Sequence, residues 1–221
     1  MARQVAHEVK NPLTPIQLST QHLRRVYGDP GVDFTAALDT CTATILEQVR
    51  KLREIATEFS SFARPPAAQL NVAPLGALVR EVLAPYRSSL PPTVTLDVKL
   101  DDPLPPVRVD RRLFDRALVN LVENALHAVG ESGRIDVTVR RGAGGRAEVD
   151  VADSGPGIDP AVRDRIFEPF FSTKTSGSGL GLALVKKILE DHGGGVDLES
   201  RPGEGTHFTI WLPRDNPTAP R

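Results

Sequence analysis

The stretch HEVKNPLTPI places a histidine, an acid and an amide close together near the start of the chain. At about 100° per residue along a helix, Val5, Val9 and Ile16 fall on one face, while His7, Asn11 and Thr14 fall near the opposite one. The spacing predicts a solvent-facing imidazole, with the Glu8 carboxylate beside it and the Asn11 amide one turn further on. Taken alone, the same residues describe a solvated helix face. Pro12 and Pro15 lack an N–H, so the carbonyls of Glu8 and Asn11 should lose their intrahelical partners and the helix should bend.

Further along, LVNLVENALHA spaces Asn120 and Asn124 four apart, which puts both amides on one helix face. Leu118, Leu121, Val122, Ala125 and Leu126 mostly take the remaining, buried face. Amide oxygens are hard ligands suited to Mg²⁺ that bridges to phosphate oxygens. A pair of surface amides would give the same pattern. DSGPG at Asp153–Gly157 follows an alternating segment, so a carboxylate can stand at a strand end. There it can meet an amine donor of a flat ligand, with Gly155 and Gly157 allowing close backbone approach. An ordinary turn has the same composition. In FEPFFSTKTSGSGLGL, Gly177, Gly179 and Gly181 precede a helix, whose N-terminus and backbone N–H groups can hold phosphate. No Gly-Lys-Ser/Thr follows, and no strand leads in, so neither a Walker loop nor a dinucleotide fingerprint fits. The small polar stretch 172–178 suits a mobile lid. Its one cation, Lys174, can meet a γ-phosphate or remain a solvated loop lysine.

These groups need a scaffold. The chain has 221 residues, enough for one large or two small domains. With 40% hydrophobic and 25% charged residues it can build a core, which excludes wholesale disorder. A formal charge of −1 argues against wholesale binding to nucleic acid or an anionic membrane. The single Cys41 rules out an intrachain disulfide and a thiolate zinc site, and fits a reducing, cytoplasmic setting. No stretch approaches the ~20 apolar residues of a membrane span, and MARQVAHEVKNP has no apolar core of signal-peptide type. The chain opens inside a helix-like stretch. A piece of a longer protein, whose other part could carry a membrane span, is therefore expected.

Composition changes near residue 64. Helices are expected over about Arg3–Val26 and Asp33–Phe62, the second with a seam at Leu38, Ile45, Val49, Leu52, Ala56 and Phe59. Such a hairpin cannot bury two apolar faces alone, so pairing with a second copy into a four-helix bundle is expected. Cys41 lies near this seam and reads as packing. Prolines at 65, 66 and 74 mark a linker over 65–74. Beyond it, helices over Leu75–Tyr86, Asp110–Val129 and Leu180–Asp191 alternate with strands at 94–100, 107–109, 135–139, 147–151, 196–198 and 208–212. The fold class is α+β: a helical hairpin, residues 1–64, followed over 65–221 by an α/β sandwich with helices on one face of a sheet.

The ordered set HExxNP, NxxxN, DxGxG, FxPFF, GxGLGL and GxGT, spread over about His7 to Leu212, resembles the sensor histidine kinases of two-component signalling. HEVKNPLTPIQLS with PFFSTK looks most like the nitrogen-regulation branch. The resemblance implies a dimeric hairpin domain and a Bergerat-type ATP-binding domain. His7 would be the phosphoacceptor, and Glu8 the acid that takes a proton from it. A carboxylate engaging Nδ1–H leaves the Nε2 lone pair free for phosphorus. Asn11 would orient water for dephosphorylating the partner. Asn120 and Asn124 match the N box, with Asn124 the Mg²⁺ ligand, and His127 stands where some relatives place a phosphate-contacting lysine. Asp153 matches the adenine-reading carboxylate, with Gly155 in the same box; Gly157 and Ile158 would line the base pocket, with Leu182 nearby. Gly179, Leu180 and Gly181 belong to the lid, and Lys174 would meet the γ-phosphate. Thr206 matches the last box.

The implied activity is ATP- and Mg²⁺-dependent autophosphorylation on histidine, then phosphotransfer to an aspartate of a response-regulator receiver domain, with phosphatase activity toward that regulator. Two other readings share the ATP fold. An ATP-gated conformational protein of the gyrase, MutL or heat-shock type typically carries Glu where Asn120 stands, and Glu123 projects from a different helix face. A nucleotide-binding scaffold would bind ATP without any phosphoprotein.

Overall fold

The computed structural model describes residues 2–29, 31–63, 67–101, 104, 106–173 and 178–214, with side chains except those of 2–8, 54, 58 and 61–63. It divides into two compact units, one of residues 1–66 with 172–180, the other of residues 67–171 with 181–221.

The first unit is built on two long helices, α1 (Ala2–Val26) and α2 (Phe34–Ala63). Pro12 and Pro15 lie inside α1, and the Thr14 hydroxyl donates to the Lys10 carbonyl at 3.2 Å. The reversal between the helices uses Gly28 at φ +81°, a value that suits a residue without Cβ. The Tyr27 and Phe34 rings meet edge to face, 5.5 Å between centroids. Asp33 caps α2, its Oδ1 accepting from the N–H of Thr35 at 3.0 Å and of Ala36 at 3.2 Å. Of the seam expected on α2, Ile45, Leu52 and Phe59 are half-buried, whereas Leu38, Val49 and Ala56 are exposed. Cys41 is buried, as its packing role predicts.

The second unit is a sheet covered by helices. β2 (Val94–Leu100), β4 (Gly133–Arg141), β5 (Ala147–Asp153), β6 (Gly195–Arg201) and β7 (Gly205–Leu212) form it in the order β2-β4-β5-β7-β6. β2 runs parallel to β4 and every other pairing is antiparallel. α3 (Leu75–Ser89), α4 (Arg111–Val129) and α6 (Gly181–Asp191) complete the core. α4 contributes Phe114, Leu118, Leu121 and Val122, all essentially inaccessible, and they share one cluster with Ile135, Val137, Val139, Val149, Val151 and Ile210 of the sheet. The opposite face of β5 carries Glu148 and Asp150, buried beneath Arg140 and Arg146, which pair with them.

The proline-marked stretch 65–74 is not all linker. Asn71–Ala73 forms β1, antiparallel to β3 (Val107–Val109), and the pair makes a small second sheet. An edge position tolerates this short strand beside Pro74, because a two-stranded ladder asks few N–H donors of it. A short helix α5 (Pro160–Arg163), capped by Asp159, was not expected either.

Asp110 is a junction within this unit. Its side chain caps α4 through the N–H groups of Arg112 and Leu113 and also accepts from the Gln69 N–H at 2.9 Å. Its own N–H donates to His192 Nε2 at 2.9 Å, and His192 Nδ1 stands 2.6 Å from the Ile188 carbonyl. Nε2 accepts here, so Nδ1 carries the proton. The start of α4 and the approach to β1 thus meet at the Asp110 carboxylate, and the end of α6 at its backbone N–H.

Candidate active site

Three elements bring the polar groups together at one end of the sheet. Asp153 is the last residue of β5, and its register partner on β7 is Thr206. Opposed residues of an antiparallel pair project to the same face, here the helix-covered one, so a carboxylate and a buried hydroxyl stand side by side. Asp153 Oδ1 accepts from the Gly155 N–H at 2.8 Å, which folds the DSGPG turn back on itself.

That turn depends on close backbone approach. Gly157 has φ +72°, and a Cβ there would come within 2.1 Å of the Arg201 carbonyl oxygen. Gly205 has φ +87°, with a Cβ position 1.9 Å from the Asp153 carbonyl oxygen. Both positions therefore require glycine. The Gly203 N–H donates to the Pro156 carbonyl at 2.7 Å, and the Ile158 N–H to the Ser200 hydroxyl at 2.9 Å. A cavity of about 460 Å³ opens at this end; Asp153, Ser200 and Thr206 line it together with Ala152, Glu199 and His207 of the other sheet face, whereas Asn120, Gly157, Ile158 and Leu182 are not among its lining residues. Ile158 and Leu182 are half-buried against the core.

Asn120 and Asn124 are half-buried on α4, and His127 is exposed in its last turn. The Asn120 amide donates to the Arg116 carbonyl at 2.8 Å. Its Oδ1 lies where a Cβ on Gly181 would come within 2.6 Å, so the start of α6 closes on Asn120. Gly181 is the first residue of α6 itself, rather than part of a loop before it. Among the described residues no group of three or more His, Cys, Asp and Glu side chains is placed to hold a metal ion. The half-buried amide pair beside a glycine-lined helix start suits a Mg²⁺ ion that takes its remaining ligands from phosphate and water.

Gly179 has φ +65°, Leu180 is buried, and the Leu180 N–H donates to the Ser178 hydroxyl at 3.2 Å. Lys174 and Gly177 lie outside the described residues. So do the side chains of His7 and Glu8, whose backbone belongs to α1. Asn11, on the same helix, is exposed. Ser200 was missed by sequence reasoning. The available signal was a polar residue at an inward position of an alternating strand, after Val196 and Leu198.

Residues 109–216 match the family of histidine kinase-, DNA gyrase B- and HSP90-like ATPases. The nitrogen regulation protein NtrY of Azorhizobium caulinodans is 38% identical over 99% of this chain and 29% of its own length. The sensory histidine kinase/phosphatase NtrB of Salmonella typhimurium is 32% identical over 96% of this chain and 61% of its own. The solved catalytic domain of histidine kinase ThkA is 35% identical, covering 66% of this chain and 96% of that one, with a TM-score of 0.60. ThkA in complex with the response regulator TrrA covers 99% of this chain and 62% of that one, at 28% identity and a TM-score of 0.81. The chain belongs to the sensor histidine kinase family. It spans less than two thirds of the length of these curated relatives, and nitrogen-regulation proteins are among them.

Proposed function

We propose that the chain transfers the γ-phosphoryl group of ATP to Nε2 of His7 and then passes it to an aspartate of a response-regulator receiver domain. The observation that carries this reading is the row of Asp153 and Thr206 at the end of the sheet, where a Cβ on Gly155 of the following turn would come within 2.8 Å of Ala128 on the Asn120–Asn124 helix. Asp153 accepts from the exocyclic amine of adenine, and Gly157, Ile158 and Leu182 line the base. To the phosphates we assign Asn120, His127, Gly179, Leu180, Gly181 and Lys174. Mg²⁺, held with the Asn124 amide oxygen, supplies charge neutralisation there.

In the transfer, the Nε2 lone pair attacks phosphorus in line, the bond from phosphorus to the β-phosphate oxygen breaks, and ADP leaves. Glu8 takes the Nδ1 proton. Most of the acceleration is positioning and electrostatic stabilisation. Residues 1–64 act as the dimerising phosphotransfer domain and 65–221 as the catalytic domain. Asn11, exposed on α1, orients the water that removes phosphate from the regulator. The name of the NtrB kinase/phosphatase supports that second activity, and the ThkA complex supports the regulator as partner. Need for ATP argues for a cytoplasmic setting, and no helix of the described residues is long and apolar enough to cross a membrane.

The test is chemical. Incubation with labelled ATP and Mg²⁺ should give a phosphoprotein whose label is lost in acid and survives base. A label stable to acid would contradict the assignment.

A further inference from the structure

The inner face of the sheet is apolar row after row and then changes character. Across β4, β5, β7 and β6 the registers align Val139, Val149, Ile210 and Val196, and next Val137, Val151, Phe208 and Leu198. The following row keeps Ile135 on β4 but sets Asp153, Thr206 and Ser200 on the other three strands. Ser200 terminates this polar half-row, and all three of its residues border the cavity.

Hydrogen bonding around Ser200 can be settled by counting protons. A serine hydroxyl has one proton and two lone pairs. Ser200 donates to the Gly205 carbonyl at 2.8 Å and accepts from the Ile158 N–H at 2.9 Å. Its oxygen also lies 3.2 Å from Thr206 Oγ1. With the serine proton committed to Gly205, Thr206 must be the donor in that contact. The Thr206 oxygen is then left with lone pairs for any further partner. Asp153 next to it is a carboxylate and likewise accepts. The row therefore presents hydrogen-bond acceptors.

We infer that Ser200 is a positioning residue that sets base selectivity: it fastens the Asp153–Ile158 turn to β7 and holds the Thr206 hydroxyl as an acceptor toward a 6-amino purine. The inference rests on the nucleotide reading above. An acceptor row complements the amine of adenine and opposes the 6-oxo group of hypoxanthine. Without the serine hydroxyl, Thr206 can turn its proton toward the ligand, and the half-buried Ile158 N–H loses its partner.

The experiment is calorimetric titration of the full chain with ADP and, separately, with inosine diphosphate, which differs at the 6-position. Losing an oriented hydrogen-bond network of this size corresponds to about a tenfold weaker ADP affinity for Ser200→Ala. Inosine diphosphate should weaken less, so the preference for ADP should fall about fivefold. Ser200→Thr, which keeps the hydroxyl, should behave as wild type. Ser200→Cys keeps the volume with a much weaker donor and acceptor, and should reproduce the lost preference if the alanine variant does not fold. Equal weakening toward both nucleotides, or no change toward either, overturns the inference while leaving the nucleotide reading intact. Failure of the wild-type chain to bind ADP overturns both.

Discussion

On the proposed mechanism, Asn11 separates two activities assigned to one helix. It is exposed on α1 one turn beyond His7, so removing its amide should not disturb nucleophilic attack by the imidazole. Asn11→Ala should autophosphorylate at close to the wild-type rate and should lose most of the dephosphorylation of a phosphorylated regulator. Unchanged regulator dephosphorylation would contradict the water-orienting role. Such residues could be singled out in the sequence by side-chain type and spacing, Asp153 before two glycines and Asn120 four before Asn124, but the roles proposed for them come from the family resemblance rather than from spacing. The Ser200 role was not legible. A serine at a strand end reads as solvated until the register places it beside Thr206 and the Ile158 N–H arrives from 42 residues away.

The elements of the second unit are joined at a few polar points, and their loss should be measurable as stability. Asp110→Ala removes the cap of α4 and the Gln69 contact together, and should lower unfolding free energy by about 1–2 kcal/mol in urea. Asp110→Asn, which keeps an acceptor, should lose less; an alanine variant as stable as wild type would contradict the junction role. Asp150 supplies a pH dependence. Burial pushes its carboxyl up, but the Arg140 guanidinium, the Thr209 hydroxyl and His207 outweigh burial and hold it below the usual carboxylate range. A carboxyl depressed in the folded state contributes fully above its unfolded value of about 3.9 and loses that contribution as pH falls through the folded one. The stability advantage of wild type over Asp150→Asn should therefore shrink as pH drops below about 4; a constant difference would contradict it. Helices and hairpins were legible from period and turn chemistry, as at Gly142–Gly145 and Pro202–Gly205. β1 was hidden by its prolines. The parallel pairing of β2 with β4 was hidden too, because alternation marks a strand without naming its neighbour.

At the scale of the whole molecule, the helical hairpin has apolar surface to spare. Leu18 is 59% exposed and Leu46 57%, with Leu13, Leu38 and Val49 at 40% or more. A second copy of the hairpin would cover it. Sedimentation equilibrium should give a dimer, and Leu38→Glu with Val49→Glu should give a monomer whose second unit still binds ADP. A wild-type monomer at tens of micromolar would contradict the bundle. The proposed transfer from nucleotide to helix involves both units, and one substitution tests it. Wild-type chain and His7→Gln are incubated with γ-labelled ATP and Mg²⁺, and label on the protein is counted. Label on the wild type and none on the variant, with ADP affinity unchanged, is the predicted result; equal label on both would place the phosphoryl group elsewhere and contradict it.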